Sequence, residues 1–513
     1  MLKTYQPPKG SERVFITLSV MLATVMQSLD TTIANVALPH MQGSMGATQE
    51  QTSWVLTSYI VAAAIFTPLT GFLGDCFGRK RIFIGSVIGF TVASMLCGAA
   101  QSLPQIVLFR LLQGICGASL IPISQSILLD SNPPEKHGSA MAIWGMGVMV
   151  GPILGPSLGG WLTEYYNWRW VFYINLPFGV LAWIGLTLFL GENKLKTEKH
   201  FDLMGFAFLS IAIGAFQLFL DRGESLDWLN SSEIIIEGIV ALGCLYLFVA
   251  HILTTKNPFI DPSMFKDRNF SIGLIFIFII GIILLATMAL LPPYMQSLMN
   301  YPIIDVGLLL APRGIGTMTA MMIVGKLSGK IDARYQIGLG LILTDYSLWS
   351  MTLFNAEICS SDIISSGIIQ GLGLGFIFVP LSTLTFATLP PQYRNDGTSL
   401  FSLLRNIGSS IGISIVMTKL AQNTQANHSA FAHFITPFNI NLNQASQSGA
   451  FNLHSSHGLA LLDATVTQQA VLLAYLQDFR LMMWVVLFAF PLLFLLRPPS
   501  KKASTSQLPE FEI

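Results

Sequence analysis

Charge is what this chain has least of: only 11% of its 513 residues are Asp, Glu, Lys or Arg, and 27 basic residues balance 27 acidic ones to a formal net charge of zero. That balance leaves no basic stripe for nucleic acid, so the position of each charge carries the information. Cysteine is scarce and odd in number. Cys76, Cys97, Cys116 and Cys244 fall in or at the ends of apolar runs, and only Cys359 lies near the expected outer face, so no disulfide framework is implied. There is no Walker sequence, which argues against ATP as the energy source on this chain. Two enzyme-like strings do occur. Gly155, Ser157 and Gly159 satisfy G-x-S-x-G, and Gly371, Gly373 and Gly375 alternate like a nucleotide loop, yet both strings lie inside long apolar runs without the strand-turn-helix or βαβ setting such motifs need. His251, the one histidine well inside an apolar run, sits near the opposite membrane face from Ser157. No enzyme, cofactor or resident metal is expected. His428, His433, His454 and His457 lack metal-ligand spacing.

What the chain has instead is apolar length. Hydrophobic residues make up 52% of it, with a mean hydropathy of +0.62. Stretches of about 20 apolar residues, the length that crosses a bilayer, fall near 14–38, 51–73, 82–101, 104–129, 139–162, 170–190, 203–221, 232–253, 270–293, 303–326, 336–356, 362–388, 396–420 and 479–497. The reading is an all-α integral membrane protein with fourteen transmembrane helices. The first run outlasts a signal peptide and contains Asp30, so it reads as the first span of the mature protein.

Between the second and third runs lies Gly71-Phe-Leu-Gly-Asp75-Cys-Phe-Gly78-Arg79-Lys-Arg81, a Gly-rich turn with one carboxylate and three cations. By the positive-inside rule this turn is cytoplasmic. On that basis all but seven of the 27 basic residues fall inside or in the tails; Arg169, Arg222, Lys419 and Arg480 fall outside, and Arg110, Arg313 and Arg405 fall within spans. An even span count then places both termini in the cytoplasm. Lys194, Lys196 and Lys199, with Lys256, Lys266 and Arg268, bracket the seventh and eighth spans on the same side. Those two spans read as a hairpin inserted between two six-helix bundles. The expected division is 1–190 for the first bundle, 191–269 for the hairpin and its linkers, 270–497 for the second bundle including an outer loop at 421–478, and 498–513 for a cytoplasmic tail. Gly325 to Arg334, with Asp332 in it, is a degraded echo of the Gly71 turn, as two parallel repeats require.

The Gly71 turn resembles the signature loop of major facilitator transporters. Leu29 to Pro39, with Asp30 in it, is similar to the first-span motif of their fourteen-helix drug:proton antiporters, and Arg110, Gln113 and Gly114 resemble the fourth-span motif. Gly147, Gly151, Pro152, Gly155, Pro156 and Gly159 resemble the antiporter motif of the fifth span. Trp168 to Gly179, Asp221 to Trp228, and Arg405 to Gly408 are further marks, and the likeness, which covers nearly the whole chain, is closest to the EmrB type. The resemblance implies a major facilitator fold and proton-coupled efflux of lipophilic or cationic drugs and other toxic amphiphiles. It also implies a bacterial inner-membrane location, a periplasmic membrane-fusion adaptor and an outer-membrane channel. A facilitator exporting one endogenous metabolite or siderophore is the alternative.

The buried charges speak to function independently. Asp30 lies roughly 24 Å along its helix from Val14, and Arg110 roughly 9 Å below the outer edge, so in a core of about 30 Å they reach similar depths. A lone charge at mid-membrane costs about 2.5–3.5 kcal/mol on insertion scales. The two should therefore face the bundle interior, either as a purely structural pair or with Asp30 exchanging a proton under the control of Arg110. Arg313, Asp345 and Arg405 all lie roughly 14–15 Å from one face. Asp345 is open to pairing with an arginine or to a substrate or proton role. Residues 147, 151, 155 and 159 line one helical face without side chains, which suits close packing and, by resemblance, a gating interface between the bundles. Asp75 is expected to pair with Arg79 or the start of another helix as a cytoplasmic latch. Met26, Phe66, Met146, Met149 and Phe172 are candidates for an adaptable cavity wall or for packed core. Apolar residues from Gly458 to Leu476 at helical spacing mark an amphipathic outer helix, a candidate adaptor-docking surface.

Overall fold

The computed structural model describes residues 11–191, 201–436, 438–440, 444 and 455–497. Lys194, Lys196, Lys199, His454 and the 498–513 tail lie outside them. Among the described residues the regular structure is all helical, as lipid demands of a chain that must satisfy its backbone within each segment. The helices are α1 (Ser11–Met45), α2 (Gln49–Phe66), α3 (Leu69–Leu73), α4 (Arg79–Ala99), α5 (Leu103–Gly117), α6 (Leu120–Ser131), α7 (His137–Tyr165), α8 (Trp170–Tyr173) and α9 (Asn175–Phe189). They continue as α10 (Leu203–Arg222), α11 (Ser232–Thr254), α12 (Arg268–Pro293), α13 (Ile303–Leu327), α14 (Ala333–Met351), α15 (Ser360–Ala387), α16 (Arg394–Ala432) and α17 (Ser456–Leu493). Twelve helical stretches among the described residues are long and apolar enough to cross a membrane, and Gln51–Phe66 is a shorter apolar helix. The protein is thus a multi-pass membrane protein.

Local chemistry sets the boundaries. Thr48 and Gln51 form a reciprocal capping box that starts α2. Asp202, Asp267 and Ser455 accept backbone N–H bonds at the starts of α10, α12 and α17. The Gly71 turn is a π-helical step, Gly74–Gly78, ending at Gly78 with φ 90° and ψ 133°, a conformation side chains disfavour. Several boundaries differ from the sequence reading. The stretch 104–129 breaks between α5 and α6 at Ala118 and Ser119, and α16 runs twelve residues past the expected 420, to Ala432. The amphipathic outer helix and the last span are a single 38-residue helix, α17.

The pairing of helices repeats. In the first part of the chain α1 packs on α7 and α9, α5 on α2 and α4, and α4 on α9. In the last part α12 packs on α16 and α17, α15 on α13 and α14, and α14 on α17. The two sets meet along α7 and α13, and again where α16 meets α3 and α6. α10 packs on α11, α2 and α16. Its Gln217 Nε2 donates to Ser410 Oγ at 3.0 Å, the Ser414 hydroxyl donates to the Leu220 carbonyl at 3.1 Å, and Asp221 accepts from Thr57, so α10 bridges the two sets beside that second seam.

Glycine sets how closely the helices approach. Gly151, Gly155 and Gly159 lie against Ser28, Thr32 and Ile33 of α1; a Cβ at Gly159 would stand 2.9 Å from Ile33 Cγ1. Pro152 lacks the N–H that would bond the Val148 carbonyl. The Ser28 hydroxyl donates to that carbonyl instead, and Thr32 Oγ1 donates to the Gly151 carbonyl at 3.0 Å. The row Gly147 to Gly159 therefore seats α7 on α1, inside one set of helices. Contact with α13 uses another face of α7, where Gly145 lies against Met321 and Gly325 of α13 against Ala142. In the last part, Gly408 and Gly412 of α16 lie against the Phe278 and Ile282 carbonyls of α12.

Candidate functional site

Asp30 is the centre of a closed polar network. Arg110 Nη1 donates to its Oδ2 at 2.7 Å, while Gln113 Nε2 and Asn175 Nδ2 each donate to its Oδ1 at 2.8 Å. Arg110 also donates through Nε to the Val55 carbonyl at 3.1 Å and through Nη1 to Gln113 Oε1 at 2.8 Å. Its guanidinium lies 4.4 Å from the Tyr59 ring centroid, a cation–π contact. Ser94 Oγ accepts from Asn175 at 2.9 Å and donates to the Phe172 carbonyl at 2.9 Å. Asp30, Arg110, Gln113, Asn175 and Ser94 are all 0% exposed. Side chains from α1, α4, α5 and α9, with the α2 backbone, thus satisfy a pair that would otherwise be prohibitive to bury. Breaking such a pair costs about 3–5 kcal/mol. In this conformation the carboxylate is sealed from water on both sides. Sequence reading found Asp30 and Arg110 because they are charges in apolar runs. Gln113 and Asn175 stood there only as family marks; Gln113 follows Arg110 by three residues on one helical face, a signal that it belonged with it.

The second cluster lies at the Gly71 turn and joins the two sets of helices. Asp130, near the end of α6, accepts from Arg79 at the start of α4 and from Arg394 Nη1, in the first turn of α16, at 2.5 Å. Arg79 Nη1 also reaches Ser126 Oγ at 3.0 Å, and Ser126 donates to Asn395 Oδ1 at 2.6 Å. Asn395 Nδ2 in turn donates to Asp75 Oδ1 at 2.6 Å. Asp75 thus meets the start of another helix, α16. Thr70 and Ser399 hydroxyls bond across the seam at 2.9 Å, and a Cβ at Gly71 would stand 3.0 Å from the Asp396 Cα. Gly71 therefore allows α3 to lie on the first turn of α16. Asp130, Arg394 and Asn395 were not singled out from sequence, because hydrophilic residues at span ends look like ordinary boundary residues.

The last part of the chain handles its buried charges differently. Arg313 and Arg405 are 5% and 8% exposed. Arg313 Nη2 donates to the Leu284 carbonyl at 3.3 Å while its Nη1 has no hydrogen-bond partner, and Arg405 has only a 3.5 Å contact to Asn406 Oδ1. Asp345 is half-buried with its Oδ1 unpartnered. The shared depth of these three does not become an ion pair among the described residues: α14, which carries Asp345, packs on α15 and α17 and not on α13 or α16. Where Asp30 meets Gln113 in the first part, α12 and α15 place Thr287 and Gln370 at 3.3 Å, both 0% exposed. Of the candidate cavity residues, Met26 and Phe172 are wholly buried and Met149 nearly so, as packed core; Phe66 and Met146 are partly exposed.

Asp202, just before α10, meets His251 Nε2 at 2.9 Å and the Phe259 N–H at 3.0 Å. Burial pushes this carboxyl up, but the bonds from Gly205, His251 and Phe259 outweigh it and hold the group below the ordinary carboxylate range. His428 Nε2 lies 3.1 Å from Asp463 Oδ1, between the C-terminal part of α16 and the N-terminal part of α17. Among the described residues no three His, Cys, Asp or Glu converge on a metal position.

These features match a known class. Residues 20–413 match the Major Facilitator Superfamily, and the chain belongs to it. Along nearly its full length it is 36% identical to the fatty acid resistance protein FarB of Neisseria gonorrhoeae, over 96% of this chain and 98% of that one. It is 35% identical to the multidrug export protein EmrB of Escherichia coli (strain K12), over 97% of this chain and 98% of that one. Among solved structures, the human organic anion transporter MFSD10 (TETRAN) superposes with a TM-score of 0.60 at 14% identity, covering 94% of this chain and 100% of that one. That likeness is one of fold. The chain is therefore a major facilitator transporter of the EmrB-like kind.

Proposed function

We propose that the protein is a proton-coupled antiporter exporting lipophilic amphiphiles by alternating access. The observation that carries this reading is the Asp30 network: a carboxylate held by three donors, zero per cent exposed, on three helices of one bundle. Such a group has a use beyond packing if a helix displacement exchanges its donors for water and a proton. The Asp130 cluster supports the other half of the cycle. It joins α4 and α6 to α16 at the cytoplasmic face and is a latch whose release exposes the inner side. The glycine row on α7 then acts as the bearing on which α7 moves with α1, while α13 slides against the opposite face.

The same reading takes α2 and α14 as spans alongside the twelve, making fourteen. It divides the chain into bundles at 1–190 and 270–497 with α10 and α11 as an inserted hairpin, supported by the repeated pairing of helices. The same reading puts the Gly71 turn, both termini and the tail on the cytoplasmic side of a bacterial inner membrane, supported by the basic residues 79–81 under the positive-inside rule. The outer extensions of α16 and α17 are the docking surface for a periplasmic adaptor leading to an outer-membrane channel, a partnership that rests on likeness to EmrB.

For substrate, lipophilic and cationic drugs follow from the multidrug export relative. A second reading has an observation in its favour: Arg313 and Arg405 are buried guanidiniums without a carboxylate, and a lipophilic anion would supply one, in keeping with the resistance of the FarB relative's host to fatty acids. A single endogenous metabolite remains the third. The test is reconstitution under an imposed pH gradient with tetraphenylphosphonium, a neutral amphiphile, an acidic uncoupler and laurate. Proton flux should accompany the export of at least one of them. Export of all four at rates indifferent to the gradient would rule out antiport.

A further inference from the structure

α17 carries a carboxylate that the sequence reading left just outside the last span. Its inner end is fixed: Arg268 Nε donates to the Leu495 carbonyl at 2.8 Å, and the Arg497 N–H donates to Asn269 Oδ1 at 3.0 Å. Asp478 stands seventeen residues outward, about 25 Å along the helix, which is inside the outer boundary of a core of about 30 Å. It is 1% exposed, and among the described residues neither carboxylate oxygen has a hydrogen-bond partner.

The neighbours explain why. From α16 the charged group whose field reaches Asp478 is Lys419, an exposed side chain whose Nζ turns to Gln422 Oε1 at 3.2 Å. On α17 itself Tyr475 lies one turn away, its hydroxyl engaged with Ser297. Tyr294, whose ring meets Tyr475 at 5.3 Å, spends its hydroxyl on the Asn355 carbonyl at 2.9 Å. α12 brings no titratable group between Asn269 and its end at Pro293. α14 brings Asp345, but Gly338 lies against Leu493, so by register Asp345 sits roughly 12 Å nearer the cytoplasm. Among the described residues none of these groups donates to Asp478, and an ionised carboxyl without donors is the costliest form of that group out of water.

We infer that Asp478 is a second proton-binding carboxylate of this protein, holding its proton in the cytoplasmically latched conformation and exchanging it with the outer aqueous phase when α16 and α17 part. Asp30 has three donors, and among the described residues Asp478 has none. The use of this proton in transport rests on the antiport reading above, but its presence does not.

Infrared difference spectra of the purified full-length protein between neutral and alkaline buffer test it. The wild type should show the carbonyl stretch of a protonated carboxyl at neutral pH. That band should vanish in Asp478→Asn, move in frequency in Asp478→Glu and persist in Asp30→Asn. An undiminished band in a folded Asp478→Asn overturns the inference. If that variant fails to fold, an unmoved band in Asp478→Glu overturns it equally. Liposomes of wild type that move no protons would count against antiport, while the band would still decide the state of Asp478.

Discussion

The first and last thirds of this transporter share a helix-pairing pattern and differ in what they do with buried charge. In the first, Asp30 and Arg110 are 2.7 Å apart and both carboxylate oxygens accept hydrogen bonds, Oδ2 from Arg110 and Oδ1 from Gln113 and Asn175. In the last, the matching helices place Thr287 against Gln370, and Arg313, Arg405, Asp345 and Asp478 enter no ion pair among the described residues. One scaffold thus supports a closed ion pair in one place and open polar groups in the other. Buried polar groups without partners are few in folded proteins, and each calls for something to satisfy it. Here a substrate anion and a proton are what the proposals supply, and they assign the two regions different tasks: one holds the coupling carboxylate, the other meets ligands.

The largest test of that contrast is Asp30→Asn, expected to lower stability by about 3–5 kcal/mol because it strands Arg110, and to abolish gradient-driven efflux. The double variant Asp30→Asn with Arg110→Gln should recover most of the thermal stability and none of the efflux. Recovery of transport in liposomes would make the pair purely structural. Next, Asp130→Asn should weaken the latch by about 1.5–3 kcal/mol, the worth of a hydrogen bond to a charged group. Maleimide labelling of Ser328→Cys, at the C-terminal end of α13, should speed up accordingly; an unchanged rate would remove Asp130 from the latch. Gly151→Val and Gly412→Val overpack the corresponding α1–α7 and α12–α16 contacts. Each should cost about 1–3 kcal/mol, and a thermal shift confined to one of them would break the equivalence of the two regions. The smallest effect is expected of Arg313→Gln with Arg405→Gln: about tenfold weaker laurate binding, some 1.4 kcal/mol, with tetraphenylphosphonium unaffected. Equal losses for anion and cation would assign both arginines to folding.

Much of this was legible from residues alone. The all-helical membrane fold followed from apolar length, and Asp30 and Arg110 announced themselves as charges where charges are costly. Asp75 was read as a latch residue because it sits in a Gly-rich basic turn, but its partner Asn395 lies 320 positions away and no local pattern points to it. The glycine row was read as a close-packing face and as a gating interface between the bundles. Which helix it meets, α1 and not α13, depends on the rotation of α7 within the bundle, and spacing fixes a face without fixing its neighbour. Asp478 was passed over because a hydrophilic outer segment runs without a break into the final span.

The sequence by itself determined what lipid enforces: helices of a certain length, small residues along one face, few charges, and cations gathered on one side. Those follow from the cost of exposing backbone and charge to hydrocarbon, which acts residue by residue. Only the tertiary structure decided which charges are satisfied. Among the described residues Asp30 has donors on both carboxylate oxygens and Asp478 on neither, because donors arrive from helices distant in sequence. Satisfaction of a buried group is a property of geometry across helices, not of any one of them.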